Sequence, residues 1–309
     1  MVEAALALNK VTGINQVIIG ATFVSVATTL PEVFVSMFAV LSENHSIAVG
    51  NAVGSMICNI ALVFALYITF MPHKVSRREV FNKSICLLVV TLIFFLFALN
   101  LRISWIESAV LLCAFVGFIY MNVRESREKE ALDPTVIERC LSSGTEDEKC
   151  KKIATRKIVL GFAAGQAMLI IGAFLLVRYA ERLAMMFGIS ATVIGLTVIA
   201  IGTSMPELIT CITSIRKKSG GLALGNALGA NVINCTLLLG TCGLIGDIKG
   251  NYLPISRETV FISIPFLFIL YIISILPMLY RGRTFRWQGI TLLVLYAVYI
   301  LYLVAVQPI

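Results

Sequence analysis

Acidic residues and histidine are scarce in this chain: 17 Asp and Glu and two His among 309 residues. His45 and His73 fall between apolar runs and read as solvated loop residues. No His or Cys occurs in a metal-ligand pattern, which argues against zinc, copper and iron. The eight cysteines have no zinc or redox spacing; Cys140 and Cys150 share a charged segment and the others lie in apolar runs, so all eight read as reduced and structural. Charge is thin altogether, 14% of residues against 59% hydrophobic, with a mean hydropathy of +0.93. That balance excludes an ordinary soluble domain. A net charge of +8 would suit nucleic acid, but the basic residues sit between apolar runs and no nucleic-acid partner is expected. The N-terminus shows no cleavable leader pattern.

What the chain does have is long apolar runs. Nine are long enough, or nearly so, to cross about 30 Å of hydrocarbon: 15–41, 47–71, 85–100, 104–123, 158–178, 188–215, 221–246, 259–280 and 288–306. Alternation of the β-barrel kind is absent, so the expected fold class is an all-α polytopic membrane protein. The long polar segment 124–157 holds nine Lys/Arg and eight Asp/Glu, with Pro134 and Ser142-Ser143-Gly144 as breakers, and reads as a linker. With this linker in the cytoplasm, 20 of the 25 basic residues fall on the cytoplasmic side. Arg102, Arg178, Arg182, Lys249 and Arg257 alone fall outside, a strong positive-inside bias.

Two carboxylates lie deep in apolar runs, Glu32 in Ala27-Thr28-Thr29-Leu30-Pro31-Glu32 and Glu207 in Gly202-Thr203-Ser204-Met205-Pro206-Glu207. A charge at membrane depth costs roughly 2.5–3.5 kcal/mol or more, so both mark a functional site before a structural one. The two motifs belong to an internal repeat. Offset by 175 residues, positions 13–62 align with 188–237 without a gap, and 15 of the 50 pairs are identical. Trp105 and Trp287 each open the last helix of their half. Five crossings separate the two glutamate helices, so the copies face opposite ways. The loop charges agree: Glu43–Ser46 holds no Lys or Arg, whereas Arg216-Lys217-Lys218 occupies the matching loop. The expected organisation is therefore a first inverted repeat over 1–123, a cytoplasmic linker over 124–157 and a second repeat over 158–309. The counterpart of the 158–178 run would lie before Met1, so the first repeat is expected to lack its first helix here.

The site chemistry follows from the repeat. Thr28 and Glu32 share a helix face, as do Thr203 and Glu207, and Ser55/Asn59 and Ala230/Asn234 are spaced alike in the next helices. Pro31 and Pro206 remove backbone donors, with the carbonyls of Ser25 and Ala200 as the candidate freed ligands. Gly50, Gly54, Gly225 and Gly229 thin the second helix of each copy for close packing, and Asn51, Asn226 and Asn231 read as helix braces. All pooled donors are hard oxygens, which suit Ca²⁺. Two carboxylates neutralise one divalent ion or two monovalent ions. A site that must be neutral before it can face either side carries one or the other, which is the basis of exchange.

With Thr-Thr-Leu-Pro-Glu and Gly50-Asn51-Ala52-Val53-Gly54-Ser55-Met56-Ile57-Cys58-Asn59, repeated as Thr-Ser-Met-Pro-Glu and Gly225-Asn226-Ala227-Leu228-Gly229-Ala230-Asn231-Val232-Ile233-Asn234, the sequence resembles the two α-repeats of the sodium/calcium exchanger family, within the cation/calcium antiporters. The resemblance covers essentially the whole chain and is of the prokaryotic type. It implies ten helices in two inverted halves, no enzymatic activity and no cofactor, with Ca²⁺ and Na⁺ as transported ions. It implies that Glu32 and Glu207 bind both ions, that Thr28 and Thr203 add ligands to Ca²⁺, and that Ser25, Ala200, Thr29, Ser204 and Ser55 help to hold Na⁺. Asn59 and Asn234 complete the candidate set. There are two departures. Asn234 stands where the family often has aspartate, and Ala230 where it usually has serine. They leave H⁺ as an alternative coupling ion. The short linker lacks the acidic Ca²⁺-binding domain of animal exchangers.

Two rival functions differ in class. An intramembrane hydrolase would use the two acids for acid–base work, yet no nucleophile–base pair accompanies them. A passive cation channel would need no matched pair of sites. Other divalent ions such as Mg²⁺ and Mn²⁺ remain open as substrates. The expected location is the plasma (inner) membrane of a prokaryote, with the lipid bilayer as partner.

Overall fold

A computed structural model describes residues 14–130 and 190–305, apart from 249 and 251, and scattered positions in 2–6 and 168–188. Nine helices fill the described ranges. They are α1 Gln16–Leu41, α2 His45–Phe70, α3 Arg77–Ala98, α4 Trp105–Glu130, α5 Ala191–Thr203, α6 Met205–Arg216, α7 Gly220–Ile248, α8 Thr259–Arg281 and α9 Arg286–Ala305. Seven are long and apolar enough to cross a membrane, and α5 with α6, bent by 41° between them, make an eighth span. The chain is thus an all-α polytopic membrane protein. The run at 158–178 and most of the linker lie outside the described residues, as do Cys140 and Cys150. The six described cysteines carry free thiols.

Two helices outrun their apolar stretches. α4 continues to Glu130, through the first residues of the expected linker. The segment Arg124–Glu130 has no Gly or Pro and is dominated by Arg, Glu and Lys, which sustain a helix outside the hydrocarbon. α3 begins at Arg77, ahead of the apolar run at 85–100, and takes in Lys83. Lys83 is fully buried, and its Nζ lies 2.9 Å from Glu125 Oε2 on α4, the pairing a buried ammonium requires.

The 175-residue repeat is visible atom by atom. Asn15 caps α1 by accepting from Val17 N, and its counterpart Ser190 caps α5 by accepting from Val193 N. One turn later each helix widens into a π-turn, Gly20–Val24 and Gly195–Ile199. A second matched pair of π-turns begins at Asn59 and at Asn234. The hairpin turns match as well: Glu43 and Lys218 both adopt left-handed backbone, φ 65° and 54°. Asn44 N donates to Ala39 O at 2.8 Å, as Ser219 N donates to Ser214 O at 2.9 Å.

The copies pack by exchange. Gly20 of α1 lies against α7, where an added Cβ would sit 2.5 Å from Leu222 O; Gly195 of α5 lies against α2, where one would sit 2.9 Å from Ile47 O. The loops cross-pair in the same sense. Arg102–Ile103 (β1) pairs antiparallel with Leu253–Pro254 (β2), and at the other face Lys74 bridges to Arg283. Trp105 and Trp287 open α4 and α9 as expected, each about half exposed.

Neither histidine is fully solvated, and only His73 lies in a loop. His45 heads α2 and is half-buried. The His73 ring lies 2.7 Å from the Tyr67 hydroxyl, and burial holds its pKa below the usual histidine range, so it is neutral at pH 7.

Candidate functional site

Where α1 and the α5–α6 pair face each other, both glutamates are buried. Each is held by the other repeat. Ser204 Oγ donates to Glu32 Oε1 at 3.2 Å, and its counterpart Thr29 Oγ1 donates to Glu207 Oε1 at 3.3 Å. The second oxygen of each carboxylate, Oε2, is buried without a hydrogen-bond partner. Two buried acceptor-only atoms are costly unless a cation or a proton joins them, which makes the pair a candidate cation site.

The threonines follow the same exchange. Thr28 Oγ1 donates to Asn226 Oδ1 at 3.2 Å, and Thr203 Oγ1 to Asn51 Oδ1 at 2.9 Å. Asn51 also donates from Nδ2 to the Glu32 carbonyl (3.2 Å) and to Ser36 Oγ (2.9 Å). Asn51 and Asn226 therefore brace helices across the repeats, and they do so through the candidate threonines themselves. Ser36 escaped sequence reasoning because its counterpart is Cys211 and the repeat gave no signal there. Asn231 donates to the Met56 carbonyl at 3.1 Å and to the Tyr271 hydroxyl at 3.3 Å, a helix brace outside this network.

The remaining expected residues divide. Ser55 Oγ lies 3.4 Å from Thr203 Oγ1 and joins the network, while its counterpart Ala230 brings no hydroxyl to Thr28. Ser25 O accepts from Thr28 Oγ1 at 3.4 Å. Ala200 O accepts from Thr203 Oγ1 at 3.3 Å and also from Ser204 N at 3.0 Å, so it retains a backbone partner. Asn59 and Asn234 are buried at the start of their π-turns, and neither side-chain amide has a hydrogen-bond partner. No hydrogen bond joins them to the glutamates.

The two copies differ at the proline. α1 passes through Pro31 as one helix, whereas α5 ends at Thr203 and α6 starts at Met205, with Ser204 at φ −82°, ψ 5°. Pro206 then sits in the first turn of α6, where a missing N–H costs nothing. Equal motifs in unequal conformations are what an inverted-repeat transporter requires in any one facing state. Among the described residues no group of three or more His, Cys, Asp or Glu is present, and the donors at the site are all oxygen.

An all-helical membrane protein with exchanged repeats around two buried carboxylates is a transporter of the inverted-repeat class. The model of the sodium/calcium exchanger protein family matches residues 1–124 and 157–305, and the chain belongs to that family. It is 31% identical over 290 residues to the uncharacterized membrane protein MJ0091 of Methanocaldococcus jannaschii, covering 92% of this chain and 86% of that one. It is 26% identical to the sodium/calcium exchanger MaX1 of Methanosarcina acetivorans, over 98% and 93% of the two chains. A solved structure of the sodium-calcium exchanger NCX_Mj, soaked with Na⁺ and Sr²⁺, superposes with a TM-score of 0.72 at 26% identity, covering 100% of this chain and 92% of that one. The family is one of cation antiporters, not of enzymes.

Proposed function

We propose that this protein exchanges Ca²⁺ for Na⁺ across a prokaryotic inner membrane, with the linker 124–157 in the cytoplasm between repeats 1–123 and 158–309. The observation that carries the reading is the pair of buried carboxylates, each bonded through one oxygen by a hydroxyl of the opposite repeat. In this reading Glu32 and Glu207 turn Oε2 to the ion, and Thr28 and Thr203 add ligands to Ca²⁺. The Ser25 and Ala200 carbonyls with Thr29, Ser204 and Ser55 serve Na⁺, and Asn59 and Asn234 offer neutral amide oxygens. The ligand set of about −2 is neutralised by one Ca²⁺ or by two Na⁺, so either load permits the site to change sides.

Ala230 favours a second reading. It deletes one hydroxyl from the Na⁺ ligands of the second copy, and H⁺ could then replace Na⁺ as counter-ion. Purified protein in vesicles separates the two. An outward Na⁺ gradient at equal pH should drive uptake of radiolabelled Ca²⁺; uptake driven only by a pH gradient would favour H⁺.

A further inference from the structure

The loops that carry the cytoplasmic basic residues form a built cavity. Val75 N donates to Gly282 O at 2.9 Å, Thr284 N to His73 O at 3.0 Å and His73 N to Thr284 Oγ1 at 3.0 Å, so the segment 73–75 and the α8–α9 turn are locked together. Between them lies a cavity of about 370 Å³ lined by Lys74, Arg283 and Arg286, with Phe285 on its wall. Phe285 also lines a neighbouring cavity of about 440 Å³, shared with Leu276, Pro277, Tyr280 and Trp287. Arg283 lies over the Phe285 ring at 4.3 Å and Arg281 at 5.6 Å, which fixes two cations where the cavities meet. Among the described residues no carboxylate forms an ion pair with Lys74, Arg281, Arg283 or Arg286.

We propose that this double cavity binds one anionic phospholipid, its phosphate between Lys74, Arg283 and Arg286 and an acyl chain along Leu276, Pro277, Tyr280 and Trp287. The basic chamber supplies the charge that an anionic headgroup matches. The apolar chamber opens beside Tyr280 and Trp287, both exposed at the helix ends where aromatic side chains mark the headgroup level. A free phosphate would use the first chamber alone; a phospholipid uses both.

The test is native mass spectrometry of the full chain in detergent, titrated with phosphatidylglycerol or with phosphatidylcholine. The site variant is K74Q/R283Q/R286Q. The control, R216Q/K217Q/K218Q, removes the same charge from the same face. All six side chains are exposed, and matching circular dichroism spectra establish that both variants are folded. The expected result is preferential retention of phosphatidylglycerol, weakened about tenfold or more in the site variant and less than about twofold in the control. W287A is expected to weaken retention as well. Equal loss in the two triple variants would mean general surface attraction and overturn the proposal. So would absence of headgroup preference, or displacement of the lipid by an equal concentration of inorganic phosphate.

Discussion

Ser204 reaches Glu32 across the repeat boundary, hydroxyl to carboxylate at 3.2 Å. Thr29 makes the symmetric contact with Glu207 at 3.3 Å. Each acid is therefore oriented by the half of the molecule that does not contain it, and movement of one half against the other must change both sites together.

Glu32→Gln and Glu207→Gln test the acids. Glutamine keeps the oxygen that accepts from Ser204 or Thr29 but not the charge, so either variant should fold with an unchanged thermal midpoint. Ca²⁺ uptake should fall to the level of empty vesicles. Near-normal uptake by either variant would remove that glutamate from the transport cycle.

Gly225→Ala tests the exchanged packing. Its added Cβ would collide with the Val17 carbonyl and lie 3.0 Å from Ala21 N, both backbone atoms that cannot move aside. Overpacking of this kind costs about 1–3 kcal/mol. Gly117→Ala is the comparison, because nothing lies within 4 Å of its added Cβ. It should be neutral or stabilise by about 0.5–1 kcal/mol. Thermal melts in detergent read both.

Ala230→Ser places a hydroxyl at the position symmetric to Ser55, whose Oγ lies 3.4 Å from Thr203 Oγ1. The added oxygen should serve Thr28 as Ser55 serves Thr203. Half-maximal Na⁺ for Ca²⁺ release should fall, by about threefold for a gain near 0.6 kcal/mol. An unchanged Na⁺ dependence would separate this position from the Na⁺ ligands.

Asn234→Asp tests the neutral amides. If the proposed site includes Asn59 and Asn234 it holds two acids, and transport should then not require K⁺. A third acid at 234 must be neutralised during the cycle, and exchange should become more strongly pH-dependent. Rates measured against pH, with and without K⁺, check both statements. A K⁺ requirement in the unmodified protein, or identical pH profiles, would contradict them.

Much of this architecture is legible in the residues. Burial of Glu32 and Glu207, the spans and the 175-residue repeat follow from hydropathy and self-similarity, because a membrane penalises each exception heavily. Partnerships are less legible. The spacing pairs Thr28 with Glu32 on one helix face, yet the bonds run from Thr28 to Asn226 and from Thr29 to Glu207, through contacts that no local pattern encodes. The break at Ser204 is hidden for another reason. Pro31 and Pro206 occupy the same motif, so the difference between a through-going and a broken helix is set by the tertiary state and not by local sequence. Lys83 was hidden in the same way, since its partner Glu125 lies 42 residues on.

Competition between the two ions at equilibrium tests the central claim most directly. Calorimetric titration of Ca²⁺ into the purified protein at increasing Na⁺ should show the apparent Ca²⁺ Kd rising more steeply than the first power of Na⁺ concentration. The sites should remain equal in number, because on the proposed reading two Na⁺ would replace one Ca²⁺ between Glu32 and Glu207. A Ca²⁺ affinity indifferent to Na⁺ would contradict a shared site.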